Sequence, residues 1–129
     1  NYFTISPSLQ TVNFTSAGST ETANFCIAPN GIHNDLEVGL IPITPAIPGF
    51  NTKYIIVYKN KGTTTQSGTV NFNFNDYYSD FVSATSDPNN MQTNLLTWNF
   101  TNLMPFETRQ IEIVLNFDSW RASFFFSNR

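Results

Sequence analysis

Three aspartates of this chain lie in predicted loops that contain several side-chain oxygen atoms, and oxygen is the ligand that calcium prefers. Asp76 and Asp80 share the loop sequence Asn-Asp-Tyr-Tyr-Ser-Asp, and Asp87 lies in a later turn that also contains asparagines. Calcium takes about six to eight oxygen ligands, and extracellular modules often bind it weakly. The spacing matches no EF-hand, and Asp and Asn form turns without a metal. We therefore expect no cofactor, with a weak calcium site at these three carboxylates as the open alternative.

Aromatic side chains in the same loop suggest a second kind of chemistry, the stacking of sugar rings. Tyr77 and Tyr78 are adjacent, and Trp120 lies near the end of the sequence. Carbohydrate-binding β-sandwiches present such rings as a platform. The alternative is structural, with one tyrosine packed over the end of a sheet and Trp120 capping the core. Aromatic residues make up 16% of the chain, so their presence alone does not decide between the two.

Histidine and cysteine each occur once, which argues against most catalytic and metal sites. A catalytic nucleophile needs a base that is held by a third group, and zinc needs more soft ligands than one His and one Cys. No two acids imply a substrate cleft between them, as glycoside hydrolysis requires. We expect His33 to be a solvated linker residue, Cys26 to be half-buried in a strand, and the protein not to be an enzyme.

The charge of the chain bears on its partners and location. The net charge is −3, the pI is about 4.8, and the six basic residues are scattered. Binding of nucleic acid needs clustered Lys and Arg, so no nucleic-acid partner is expected. No apolar run approaches the roughly 20 residues that span a bilayer, and no signal peptide begins the sequence. Surface positions rich in Asn and Thr favour an extracellular or cell-surface location, and the start within a strand-like segment suggests a piece of a longer protein.

The strand that must organise the sheet is predicted at residues 53–59. This run is β-branched and aromatic on both sides of the pleat, which is typical of a strand in the middle of a sheet. Residues 36–40 alternate and are followed by three prolines at 42–48, which predicts an edge strand that bends away. Residues 69–75 alternate strictly, with Val70, Phe72 and Phe74 toward the core.

Further strands are predicted at residues 81–85, 95–100 and 110–117, with a turn at 87–90. Strands that recur about every 10 to 15 residues with turns between them predict an antiparallel β-sandwich in an all-β protein. We expect the core to contain these residues: Tyr54, Val57, Phe72, Phe74, Trp98, Ile111, Ile113 and Leu115.

The first third of the chain is predicted to form a separate unit. Short strands are predicted at residues 2–6, 11–15 and 23–27, the last with Phe25 and Ile27 inward. Three short strands are few for an independent core. We therefore divide the chain into closing strands of a preceding small β module at 1–29, a linker at 30–34 and the sandwich at 35–129.

Four segments carry a resemblance to a known family. They are residues 47–62, from Ile-Pro-Gly-Phe to Lys-Asn-Lys-Gly, residues 67–70, residues 96–100 with Leu-Thr-Trp-Asn-Phe, and residues 103–109 with Leu-Met-Pro-Phe-Glu-Thr-Arg. In this order they resemble a conserved Ig-like repeat of flavobacterial surface proteins that the type IX secretion system exports. Such repeats occur in large proteins near leucine-rich, carboxypeptidase-regulatory-like or adhesin repeats, and their own molecular role is unassigned.

Residues 1–29 are similar to the closing strands of prealbumin-like, carboxypeptidase-regulatory or collagen-binding-B-type modules. Two departures from the Ig-like family stand out. Ile47 replaces the usual Arg before Pro-Gly-Phe, and the sequence after Phe117 does not resemble the family's proline-containing loop and further strand. Residues 122–126 are a candidate for the missing last strand.

Phe124, Phe125 and Phe126 are consecutive, so a strand here must expose at least one ring or be buried on both faces. We expect an interface segment. The leading hypothesis is a structural or adhesive module, a spacer or interaction repeat whose partners are neighbouring domains of the same chain or identical copies. Two alternatives stay open. One is a carbohydrate-binding module of a secreted hydrolase, with a surface polysaccharide as partner. The other is a subunit of an extracellular filament completed by strand exchange.

Overall fold

The computed structural model describes residues 1–118, and this part of the chain consists of strands and loops without a helix. All strand pairs are antiparallel. The predicted all-β, antiparallel β-sandwich is thereby confirmed. The strands are β1 (Phe3–Ser6), β2 (Cys26–Pro29), β3 (Leu36–Pro42), β4 (Asn51–Asn60), β5 (Gln66–Asn73), β6 (Ser79–Ala84), β7 (Asn90–Gln92), β8 (Leu95–Leu103) and β9 (Thr108–Phe117).

Two of the three sheets pack face to face. One has the order β3-β4-β9-β6 and the other β5-β8-β7, while β1 and β2 form a two-stranded sheet of their own. The buried cluster draws Ile111 and Ile113 from the first sheet and Leu96 and Trp98 from the second. Alternate side chains of each strand point into this shared core, which is the arrangement of a sandwich.

The predicted central strand is confirmed, because β4 pairs with β3 on one side and β9 on the other. Its inward face carries Ile56, which is buried opposite Ile111. Val57, predicted as a core residue, lies on the opposite face and is only half-buried. A run that is apolar on both sides does not reveal which side meets the second sheet, so the choice of Val57 over Ile56 was wrong.

The proline-rich edge strand also behaves as predicted. Within residues 1–118, β3 pairs only with β4. Beyond Pro42 the ladder becomes irregular, since the backbone N–H groups of Ile43 and Thr44 both donate to the carbonyl of Lys53, at 2.9 and 3.4 Å. A regular ladder would next use the N–H of residue 45, but this residue is a proline and has none. The chain therefore leaves the sheet here.

Several predictions for the first 29 residues are wrong. Residues 11–15 form no strand, and the strand predicted at 23–27 starts at Cys26 instead. Phe25 and Ile27 were expected inward and Cys26 half-buried, but all three are exposed. A two-stranded sheet without a second layer has no interior in which to bury them.

The strand β7 was not predicted. It comprises only three residues, Asn-Met-Gln, and begins at the last residue of the turn predicted at 87–90. A tight turn at Thr93 and Asn94 joins it to β8, with Asn94 in the left-handed conformation at φ 65°. Asparagine tolerates this conformation better than most residues, so Asn94 was the available signal for the hairpin.

Candidate functional site

Two of the three predicted calcium ligands line one cavity at an end of the sandwich. The cavity has a volume of about 330 Å³ and is lined by Phe74, Asp76, Asp80, Phe81, Met91, Gln92, Thr93 and Leu96. Its lining combines apolar side chains with carboxylate, amide and hydroxyl groups. Asp87 is not among the lining residues, because it follows the far end of β6 in the crossover to β7.

Asparagine side chains shape the loop between β5 and β6, which carries Asp76 and leads directly to Asp80 in β6. The Asn75 side-chain oxygen accepts from the N–H of Tyr77 at 2.9 Å, and its carbonyl accepts from the N–H of Ser79 at 3.0 Å. The Asn94 side-chain oxygen accepts from the N–H of Asp76 at 2.7 Å, which ties the loop to the turn between β7 and β8. The predicted turn-forming role of asparagine therefore accounts for the shape of this loop.

The charges around the cavity limit what it can bind. Within residues 1–118, no group of three or more His, Cys, Asp or Glu side chains is placed to hold a metal ion. The Asp76 and Asp80 carboxylates contribute two negative charges, and no Lys or Arg of the described chain lines the cavity. This surface is suited to polar ligands that are neutral or positively charged, and it disfavours acidic ones.

Tyr77 and Tyr78 form an exposed aromatic pair next to the cavity-lining aspartates in the sequence. Their rings meet edge to face, with centroids 4.9 Å apart and planes at 88°. The two residues are 58% and 38% exposed, which leaves ring surface open to solvent. The third predicted aromatic, Trp120, lies outside the described residues, as do Phe124, Phe125 and Phe126.

A second constellation joins the N-terminal sheet to the sandwich. Tyr2 stacks on His33, with centroids 4.4 Å apart and planes at 14°, and Phe3 meets Phe106 at 4.4 Å. The Nε2 atom of His33 lies 2.9 Å from the carbonyl oxygen of Asn30. His33 is thus half-buried and packed, and the expectation of a solvated linker histidine was wrong.

The segment between the two units is tied to the turn that follows β4. The Thr63 hydroxyl donates to the carbonyl of Gly31 at 2.8 Å and accepts from the N–H of His33 at 2.9 Å. The N–H of Thr63 donates to the carbonyl of His33 at 2.8 Å. A Cβ atom at Gly62 would collide with that carbonyl and with the backbone of Asp35. Glycine is therefore required for the close approach of these two segments.

Phe106 adopts an uncommon backbone conformation at this junction. It is the third residue of a turn in which the N–H of Glu107 donates to the carbonyl of Met104 at 3.0 Å, and its φ is 66°. Pro105 occupies the second position, as in type II turns, which normally have glycine third. A left-handed conformation costs a residue with a side chain about 1–2 kcal/mol. The ring contact between Phe106 and Phe3 offsets part of this cost.

An ion pair next to this turn fixes the end of β8. The Arg109 guanidinium donates to Glu107 at 2.6 Å and also to the carbonyls of Thr101 and Asn102, at 3.0 and 3.1 Å. Glu107 accepts a further hydrogen bond from the N–H of Met104 at 2.8 Å. Arg109, and after it the Met104 N–H, holds the pKa of Glu107 below its usual value. Arg109 thus binds the backbone of β8 as well as the Glu107 carboxylate.

Asn60 is the structural residue that sequence reasoning missed most clearly. It directly follows the strand predicted at 53–59, and its side chain is fully buried between the sheets. Its side-chain oxygen accepts from the N–H of Gly62 at 2.9 Å, and its side-chain nitrogen donates to the carbonyls of Thr64 and Leu103. The signal was present in the Asn-Lys-Gly sequence, although nothing local indicated the contact with Leu103.

Comparison of the chain with protein-family models, with curated proteins and with solved structures finds no match. The resemblance to a flavobacterial Ig-like repeat is thus carried by the sequence motifs alone. Residues 1–118 contain no helix long and apolar enough to cross a membrane.

Proposed function

We propose that this protein is a structural or adhesive Ig-like module of a long secreted or cell-surface protein, where it acts as a spacer or interaction repeat without enzymatic activity. The observation that carries this proposal is the junction between the N-terminal sheet and the sandwich. Two ring contacts and the hydrogen bonds of Thr63 hold the connecting segment at several points. A spacer must hold one module at a defined position relative to the next, and a fixed junction does so.

The energetic scale of this junction supports a defined orientation. An aromatic pair contributes about 0.5–1.5 kcal/mol beyond the area it buries, and a hydrogen bond contributes about 0.5–1.5 kcal/mol net. Several such contacts together are sufficient to favour one arrangement over a freely jointed linker. The bacterial origin and the type IX secretion route rest on the motif resemblance of residues 47–109.

The proposal is tested by measuring whether the two units tumble together. ¹⁵N relaxation should give β1 and β2 the same rotational correlation time as the sandwich. Replacing both Tyr2 and Phe3 by alanine should shorten the apparent correlation time of β1 and β2 only. Phe14→Ala, at an exposed aromatic residue of the same unit, is the matched control and should change nothing. Independent tumbling of the N-terminal unit in the unmodified protein would argue against a fixed spacer.

A second candidate function is carbohydrate binding at the cavity described above. The observation that favours it is the combination of apolar and polar side chains in the cavity lining with the exposed Tyr77–Tyr78 pair. Sugars present apolar C–H faces together with hydroxyl groups, so they match both kinds of surface. The two carboxylates favour neutral over acidic polysaccharides, because like charges repel.

A further inference from the structure

The part of the sandwich formed by residues 1–118 has an open side between its two sheets. Within residues 1–118, β3 pairs only with β4 and β5 pairs only with β8, so each leaves one edge without a strand partner. The two free edges lie on the same side, since residues of both strands line one cavity of about 130 Å³. We call this site the β3/β5 groove, and its principal lining residues are Leu36, Val38, Tyr58, Val70 and Phe100.

The inner face of β3 is exposed in this groove. Leu36, Val38 and Leu40 are paired with residues of β4 whose side chains point to the core, yet they are 48%, 66% and 50% exposed. Side chains opposite one another in a ladder lie on the same face. These three therefore point toward the second sheet, but that sheet ends at β5 and does not cover them. A strand beside β5 would lie beneath them.

We propose that the β3/β5 groove is the docking site of residues 122–126 of the same chain, which add to the free edge of β5 as a further strand. Their sequence is Ala-Ser-Phe-Phe-Phe. Because side chains alternate along a strand, Phe124 and Phe126 share one face and Phe125 takes the other. Phe124 and Phe126 then pack on Leu36 and Val38, and Phe125 faces outward. The segment is uncharged and the groove is predominantly apolar, so docking removes apolar surface from water on both sides.

The path of the chain supports this occupant over a second copy. β9 ends at Phe117, and the N–H of Asp118 donates to the carbonyl of Tyr78 at 3.1 Å. This is the end of the sandwich toward which β5 runs, because Phe74, the residue after β5, bonds to Asn94 in the turn there. A chain returning from Asp118 along β5 therefore runs antiparallel to it, as every strand pair within residues 1–118 does.

The distance is also within reach. In the order β3-β4-β9-β6, β9 lies two strand spacings of about 4.8 Å from β3, and these combine at right angles with one sheet separation of about 10 Å to a crossing of roughly 14 Å. The five Cα–Cα steps from Phe117 to Ala122 span up to about 17 Å. Docking within one molecule needs no second copy, and it closes an edge that would otherwise pair with other chains.

The test is hydrogen exchange of the β5 amides, followed by mass spectrometry under reducing conditions. The full chain is compared with a chain that ends at Asp118, with the double variant Phe124→Asp, Phe126→Asp, and with Phe125→Asp as the matched control. We expect exchange in β5 to become at least tenfold faster in the shortened chain and in the double variant, and to stay unchanged in Phe125→Asp. Unchanged protection of β4 and β9 shows that each variant is folded.

Two further measurements identify the occupant. A synthetic peptide of residues 119–129 should restore the slow exchange of β5 in the shortened chain. The full chain should be monomeric by light scattering, with β5 protection that does not depend on concentration. Equal exchange of β5 in the full and shortened chains would overturn the proposal. Protection that grows with concentration in a dimer would overturn it as well, since a second copy would then fill the groove.

Discussion

The side-chain nitrogen of Asn60 donates a hydrogen bond of 2.9 Å to the carbonyl oxygen of Leu103. Asn60 ends β4 in one sheet and Leu103 ends β8 in the other, so this bond links the two layers of the sandwich. The backbone of Asn60 is bonded as well, since its N–H donates to Glu107 and its carbonyl accepts from Phe106. A buried amide with all its partners in place holds a specific arrangement of the strand ends.

Replacement of Asn60 by alanine should therefore destabilise the protein more than an ordinary polar substitution. The change removes three side-chain hydrogen bonds and leaves the Leu103 carbonyl without its donor. We expect a loss of about 2–3 kcal/mol in the free energy of unfolding, measured by urea denaturation. The control is Asn73→Ala at an exposed position of β5, with an expected change within about 0.5 kcal/mol. Equal losses in the two variants would contradict the proposed role of Asn60.

Trp98 should be the single side chain on which the core depends most. It is buried in the contact between the sheets, and its ring N–H donates to the carbonyl of Ser86 at 2.8 Å. Trp98→Ala should cost about 3–5 kcal/mol of unfolding free energy, as the loss of a buried aromatic ring does. Trp98→Phe should cost less, because it keeps most of the apolar volume and loses the hydrogen bond. Met104→Ala, at an exposed side chain, is the control in the same denaturation experiment.

The strand pattern could be predicted because it is local. The apolar run of β4, the strict alternation of β5 and the prolines after β3 are each visible within about ten residues. The choice between Ile56 and Val57 was not visible, because it depends on which face of β4 meets the second sheet. The burial of Asn60 likewise depends on Leu103, which lies 43 residues away.

The candidate site was predicted only where its parts are close in sequence. Asp76, in the loop before β6, and Asp80, the second residue of β6, line one cavity. Asp87 was expected at the same end, but the chain follows β6 to its far end before Asp87 occurs. The contact of Tyr2 with His33 arises between two units that the sequence treated separately, so neither residue suggested the other.

The stability of the protein should fall in acid partly through Glu107. Arg109 lowers the pKa of Glu107 in the folded state below the usual value of 4.5. The folded state therefore binds this proton less readily than the unfolded state, and the resulting stabilisation is fully present above pH 4.5. It is lost as the pH falls through the lowered pKa. Lys61 lowers the pKa of Glu37 in the same way and adds to the effect.

Glu107→Gln should accordingly flatten the acid side of the stability curve. The expected result is a melting temperature that is lower than that of the unmodified protein at pH 7 and approaches it as the pH falls below the lowered pKa of Glu107. Thermal unfolding followed by circular dichroism at several pH values measures this difference. Glu21→Gln, at an exposed site of the N-terminal unit, is the control. A constant difference between Glu107→Gln and the unmodified protein at every pH would mean that the glutamate acts through its shape and not its charge.

The carbohydrate-binding alternative makes a prediction about charge as well as about aromatic rings. A neutral β-glucan such as laminarin should bind more tightly than alginate, a polymer of uronic acids, because Asp76 and Asp80 repel acidic ligands. Tyr77→Ala should weaken laminarin binding about tenfold, since the loss of an exposed stacking ring costs roughly 1–2 kcal/mol. Isothermal titration calorimetry measures both affinities.

Two variants distinguish sugar binding at this cavity from non-specific adsorption to an aromatic-rich surface. Asp76→Asn combined with Asp80→Asn should raise the affinity for alginate, because it removes two negative charges and keeps two polar side chains. Phe50→Ala removes an exposed ring elsewhere in the protein and should leave the laminarin affinity unchanged. If Phe50→Ala and Tyr77→Ala weaken binding equally, or if laminarin does not bind at all, the cavity is not a sugar site and the spacer function stands alone.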